Sequence, residues 1–161
     1  MMTEENLLKL LETNNISYTL RRHAPIFTVA EGEALGLPDI NCAAKSLLIA
    51  DDKHANFYLA VLPLDKRLDL KSLRAALASR RLTMASAEEL QKFLELTPGA
   101  VTPLGLLNDT EKRVQAIFDL ALKEHTIAIP AGSNTVTIWL ACQSLVKLLQ
   151  DNEHQINFLA I

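Results

Sequence analysis

Lys45 sits in the apolar run Ala43-Ala44-Lys45-Ser46-Leu47-Leu48-Ile49. A cation there must snorkel to solvent, find a buried partner or face a cavity. A second segment with chemical potential is Thr97-Pro98-Gly99-Ala100-Val101-Thr102-Pro103-Leu104-Gly105. Its prolines stiffen the backbone and its glycines allow positive φ or close approach. It reads either as a structural loop or as a backbone wall whose amides and carbonyls meet a ligand. Gly132-Ser133-Asn134-Thr135 reads first as a hairpin turn, and Asn108-Asp109 as a turn or helix cap. His54, His125 and His154 are isolated and suit surface or capping roles, whereas His23 ranks higher because it precedes a capped helix and a proline turn. Cys42 and Cys142 are far apart, with no histidine near either in sequence. That argues against a zinc site, a disulfide framework and a thiol–imidazole nucleophile. No Gly-rich phosphate loop and no Gly-x-Ser-x-Gly elbow is present. No metal or cofactor is expected.

The elements that must position these residues follow from caps and periodicity. Thr3 can cap a helix with leucines at 7, 8, 10 and 11, ending near Asn14-Asn15. Ile16 to Leu20 alternates like a half-buried strand. Thr28, with Glu31 three residues on, opens a short helix to about Leu35, broken at Gly36-Leu37-Pro38-Asp39. The Lys45 run and Asn56 to Pro63 form a hairpin across the polar Asp51-Asp52-Lys53-His54 turn. Asp69 caps a helix over Leu70 to Ala78, and Ser86 with Glu89 caps one over Ala87 to Leu94, with a short strand at Arg81 to Ala85 between them. Val114 to Leu122 tolerates strand or helix. Thr126 to Ile129 and Thr135 to Leu140 are strands, Ser144 to Leu149 a helix and Ile156 to Ile161 a last strand. This irregular interleaving predicts an α+β fold, a mixed and partly closed sheet flanked by short helices, in one domain over residues 1–161.

The chain's 161 residues are enough to bury a real core, and 49% hydrophobic with 22% charged residues describes a soluble globular protein. A net charge of −3 gives no global basic field for nucleic acid. The basic groups at Lys66-Arg67, Lys71 and Arg74, Arg80-Arg81 and Lys112-Arg113 read mostly as solvated helix faces, with one group a candidate for phosphate contact. Met1 to Asn6 is acidic and unlike a signal peptide, and no apolar run reaches the roughly 18–20 residues of a membrane span. A cytoplasmic location is expected.

Several segments, taken in order, carry a resemblance. They are His23 to Glu31, Ala44 to Leu48, Leu68 to Leu73, Arg81 to Ser86, Leu96 to Asp109 and Ser133 to Thr137. Each is weak alone, but the ordered set spans nearly the whole chain. It resembles the YbaK/ProX family of bacterial trans-editing prolyl-tRNA deacylases, also found as the insertion editing domain of bacterial prolyl-tRNA synthetases. The resemblance implies hydrolysis of a wrong amino acid from a tRNA 3′ end, with the aminoacyl-tRNA as partner and docking onto a synthetase as a further one. It makes Lys45 the pocket lysine, and Gly99 through Pro103 the Gly-x-x-x-Pro element that positions aminoacyl group and water. Lys45, Gly99 and Pro103 are thus the expected catalytic positions. His23, Thr28, Ser46, Val101, Thr102, Asn108, Pro130, Gly132, Ser133 and Asn134 are the expected substrate contacts. The substrate's own ribose hydroxyl is expected to assist, so no catalytic triad is required.

Two departures stand out. The family's Lys-Asn pair is Lys45-Ser46 here, and Pro130-Ala131 stands where the alanine- and proline-directed branches carry His-Pro. The expected substrate is therefore a small amino acid, with alanine, serine, threonine and cysteine all open. Two alternatives are a non-catalytic aminoacyl-tRNA-binding or regulatory module of the same fold, and a small-molecule ester hydrolase.

Overall fold

Local hydrogen bonds set most of the helices. The computed structural model describes residues 3–26, 28–37 and 42–161, with only the backbone of Val29. Helix α1 (Glu4–Thr13) starts where the Thr3 hydroxyl accepts from the Asn6 amide, and it buries Leu7 and Leu11. Helix α2 (Val29–Ala34) starts at Thr28, which accepts from the Glu31 amide. Helix α3 (Leu70–Leu77) is capped by the Asp69 carboxylate, which takes the Lys71 and Ser72 amides. Helix α4 (Ala87–Leu94) carries a complete capping box between Ser86 and Glu89. Each such cap satisfies amides that the first helical turn leaves unpaired. Helix α5 (Cys142–Asp151) begins straight out of a strand with no side-chain cap, ahead of the expected Ser144. Pro38 and Asp39, expected to break α2, lie outside the described residues, as does Phe27 of the first matched segment.

Among the described residues, eight strands form two sheets. Strands β1 (Tyr18–Arg22), β6 (Thr126–Pro130) and β7 (Val136–Ala141) make an antiparallel sheet ordered β1-β7-β6. Strands β2 (Ala44–Asp51), β3 (Phe57–Pro63), β4 (Leu82–Met84), β5 (Val114–Asp119) and β8 (Ile156–Leu159) make a mixed sheet ordered β4-β2-β3-β5-β8. Here β3, β5 and β8 run parallel, while β2 is antiparallel to both its neighbours. The α+β class and the mixed sheet are as expected. The partial closure is corrected: among the described residues there are two open sheets, joined by one parallel bridge between Ala43 and Ala128. The first strand lies two residues later than expected, because the Ile16 amide still donates to the Leu11 carbonyl at the end of α1. The ambiguous Val114 segment is a strand up to Asp119, continued by a 3-10 turn at Leu120–Leu122.

The main core fills the space between the sheets and α1, α4 and α5, with Leu48, Leu59, Phe118, Ile138 and Leu149 among its members. The opposite face of the five-stranded sheet packs Ile49, Leu62 and Ile117 against Leu73 of α3. Central strand β3 is therefore apolar throughout, as a strand covered on both faces must be.

Strand β2 leaves part of one edge open. Strand β4 pairs only with Ile49 to Asp51, and the Ala85 amide extends this by one bond to the Leu48 carbonyl. At the other end Ala43 bridges β6. Between these two attachments, no described strand pairs with that edge of β2. Successive residues of a strand turn their N–H and C=O to opposite edges. The Leu48 carbonyl thus fixes Ser46, two residues back, with its N–H and C=O toward the open edge.

Candidate active site

A cleft of about 430 Å³ runs along this open edge. That volume falls within the roughly 300–1,000 Å³ of small-ligand sites. Its base is Ala44 to Leu48 of β2 with Ala43 just before the strand. Because it follows an edge, it takes residues from both faces of the strand: alternation puts Lys45 and Leu47 on one face and Ala44, Ser46 and Leu48 on the other. One wall is Met84 to Ala87 with Leu90, from β4 and the start of α4. The facing wall is Ala128 to Pro130 of β6, with Asn134, Val136 and Thr137. Pro98, Gly99 and Val101 close a third side, and Ile26, Thr28 and Leu64 complete the rim.

The third wall is shaped by a turn. The Ala100 amide donates to the Thr97 carbonyl at 3.1 Å, with Pro98 and Gly99 between them and Gly99 at φ +89°. Proline followed by a positive-φ residue is the pattern of a type II turn, and glycine adopts it without strain. Behind the turn, Thr102 is buried and caps the 3-10 helix Pro103–Asn108 by accepting from the Leu104 amide. The Asn108 amide group donates to the Leu94 carbonyl at 2.9 Å, tying that helix to the end of α4. At Gly105 the backbone packs tightly, since a Cβ there would meet Leu96 Cδ1 at 2.5 Å.

Lys45 is half-buried, and its ammonium makes no hydrogen bond or ion pair with any described residue. Ser46 is 5% exposed, and its Oγ makes no hydrogen bond to the protein. Among the described residues the cleft lining contains no carboxylate, thiol or imidazole. His23 stands just behind it, with Nε2 at 2.6 Å from Thr137 Oγ1 and Nδ1 at 2.7 Å from the Ala24 carbonyl oxygen. Among the described residues no group of three or more His, Cys, Asp or Glu side chains is placed to hold a metal ion, and no helix is long and apolar enough to cross a membrane.

A family model for the aminoacyl-tRNA editing domain matches residues 23–148, which include every wall of this cleft. The chain belongs to the aminoacyl-tRNA editing domain family. Within it, the chain is similar to the prolyl-tRNA editing protein ProX of Acetoanaerobium sticklandii, at 34% identity over 94% of this chain and 93% of that one. It is 30% identical to the prolyl-tRNA synthetase associated domain-containing protein 1 of Danio rerio, over 93% of this chain and 83% of that one. A crystal structure of a candidate trans-editing enzyme for prolyl tRNA synthetase superposes with a TM-score of 0.74, covering 98% of this chain and 96% of that one. At 21% identity that likeness concerns the fold alone.

In this editing domain the expected site residues divide into two groups. Lys45, Gly99, Thr28, Ser46, Val101, Pro130 and Asn134 line one cleft. Pro103, Thr102, Asn108, His23, Gly132 and Ser133 do not. The first three hold the wall from behind, and His23 reaches the cleft only through Thr137. Gly132 (φ +100°) and Ser133 shape the β6–β7 turn, where the Ser133 and Thr135 hydroxyls are 2.7 Å apart. Among the lining residues outside the expected set are Thr137, Ala85 to Ala87 and Ile129. Thr137 ends the last matched segment and is a polar residue between Val136 and Ile138, a signal that could have singled it out. Of the other histidines, His54 pairs with Glu89 at 2.8 Å and His154 is buried, where desolvation pushes its pKa down.

Proposed function

We propose that the cleft hydrolyses the ester joining a small amino acid, such as alanine, serine, threonine or cysteine, to the 3′ end of proline tRNA, acting in trans. The observation that carries this reading is the meeting of Lys45, whose ammonium has no partner among the described residues, with the Pro98-Gly99 turn across one mostly apolar cleft. Lys45 holds the phosphate of the terminal nucleotide as a charge-assisted contact. Backbone dipoles of the Gly99 turn and the open edge at Ser46 face the ester, where they can stabilise the oxyanion formed by attack of water. With no carboxylate, thiol or imidazole among the described lining residues to act as a base, the protein positions and polarises, and the substrate's ribose hydroxyl assists the water. Confinement between β4–α4 and β6 admits a small side chain and disfavours a larger one. The protein acts in the cytoplasm as one domain. With its net charge of −3, docking on a synthetase would supplement weak long-range attraction to RNA.

Single-turnover hydrolysis across a panel of aminoacyl-tRNAs tests the reading. Release of a small amino acid from proline tRNA above the spontaneous rate is expected; no release from any member by folded protein would overturn it. A second reading, a non-catalytic sensor of aminoacyl-tRNA, draws on Pro130 lining the cleft at the position where the resemblance implies a histidine in the alanine- and proline-directed branches. It predicts binding of charged tRNA ends without turnover.

A further inference from the structure

His23 and Thr137, 114 positions apart in the chain, are joined by a hydrogen bond whose direction can be worked out. The Ala24 carbonyl oxygen beside His23 Nδ1 can only accept, so Nδ1 carries the proton. In the neutral ring Nε2 is then an acceptor, and the Thr137 hydroxyl is the donor of the 2.6 Å contact. With its one proton committed to His23, Thr137 has only lone pairs left to offer. Thr137 is 6% exposed and lines the cleft opposite β2.

The rest of the lining sharpens what such an acceptor is for. Among the described residues no carboxylate lines the cleft, and the Lys45 ammonium can only donate. The Ser86 oxygen accepts from the Glu89 amide in the α4 capping box. A ligand bringing a cationic amine into this cleft therefore meets no anionic partner among the described residues, and the neutral oxygens there are what can receive it. Ser46 and Asn134 can rotate or flip to donate or accept, whereas Thr137 is fixed as an acceptor by the imidazole behind it.

We propose that Thr137 receives the free α-amino group of the aminoacyl substrate, with His23 as the positioning residue that holds the hydroxyl in its accepting orientation. The assignment rests on the editing reading for the identity of the substrate, and on the His23–Thr137 geometry for its chemistry. It makes the cleft selective for esters and amides of free amino acids over N-blocked ones.

The test uses three adenosine probes with a hydrolysis-resistant amide at the 3′ position, carrying alanine, N-acetylalanine or lactate. Binding to the full chain is measured by calorimetry. Wild type should bind the alanyl probe about tenfold or more tightly than the other two, the range for a hydrogen bond to a charged group. Thr137→Val should remove that preference and Thr137→Ser should retain it. Long-range proton–nitrogen spectra of the wild type should show His23 protonated on Nδ1 and bare on Nε2, a readout independent of how any variant folds. Absence of binding, equal binding of all three probes, a preference surviving in Thr137→Val, or a proton on Nε2 would each overturn the assignment. Amine-selective binding without hydrolysis of alanyl-tRNA would overturn the editing reading and leave Thr137's assignment standing.

Discussion

Replacing Ser46 by alanine should move stability and activity in opposite directions. The Ser46 Oγ is buried and makes no hydrogen bond to the protein. A buried, unpaired hydroxyl carries a desolvation penalty of about 1–3 kcal/mol. Alanine relieves it while keeping the β2 backbone and leaving a void of only one oxygen atom. The free variant should therefore be about 1 kcal/mol more stable, which for a chain of this size raises the melting temperature by roughly 2–4 °C. On substrate the balance reverses. A hydroxyl that donates to the ester oxygen is worth about 0.5–1.5 kcal/mol, so single-turnover deacylation should slow by roughly two- to twelvefold. Calorimetric melting of the free proteins, paired with single-turnover rates on the same preparations, reads both signs. A variant that melts lower and hydrolyses at the wild-type rate would refute the reasoning, because the hydroxyl would then serve the fold.

Three further outcomes follow from the same geometry. Gly105→Ala places a Cβ 2.5 Å from Cδ1 and 3.0 Å from Cγ of buried Leu96, behind the turn wall. It should destabilise by about 1–3 kcal/mol in urea unfolding, and a neutral result would mean that the wall yields freely. Asp51 is buried and its carboxylate accepts from the Ala55 amide and the Asn56 side chain, which hold its pKa below the usual value. A depressed carboxylate stabilises the fold above its unfolded pKa of about 3.9 and loses that contribution as pH falls through the folded value. The stability gap between wild type and Asp51→Asn should therefore be widest near neutral pH and narrow in acid; a gap constant with pH would contradict this. Burial pushes the Cys142 thiol up to about 11, whereas Cys42 is partly exposed. A thiol reagent at pH 8 should label Cys42 in the native protein and Cys142 only after unfolding, and equal labelling rates would count against the packing around α5.

What the sequence revealed, and what it concealed, follows the range of the interactions. The caps at Thr3, Thr28, Asp69 and Ser86 are bonds across two or three residues, so residue type and spacing suffice to read them. The β2–β3 hairpin is equally local, turning on Asp51 and Asn56. The placement of β1 depends on pairing with β7 over a hundred residues away, from Tyr18 against Leu140 to Arg22 against Val136. Its boundary therefore fell two residues from where alternation alone put it. Val114 to Asp119 becomes a strand because β3 and β8 flank it in parallel, a contest that local propensity leaves undecided. The cleft shows the same division. Lys45 stands out as a cation in an apolar run, and the Pro98-Gly99 turn announces itself by composition. Ala85 to Ala87 reads as the junction of a strand and a helix cap, and nothing local says that it faces β6. The open edge beside Ser46 arises from the split into two sheets, whose link through the Ala43–Ala128 bridge spans 85 positions of the chain and leaves no local signal.

The central claim is that Lys45 anchors a charged tRNA end in a hydrolytic cleft. Its most direct test is single-turnover hydrolysis of alanyl- and prolyl-tRNA, both on proline tRNA, by wild type and Lys45→Ala side by side. The account predicts that wild type releases alanine and spares proline. It predicts that Lys45→Ala loses roughly ten- to hundredfold in rate, the worth of a charge-assisted contact, with its circular dichroism unchanged. A Lys45→Ala protein that releases alanine at the wild-type rate, or a wild type that releases none, would contradict it.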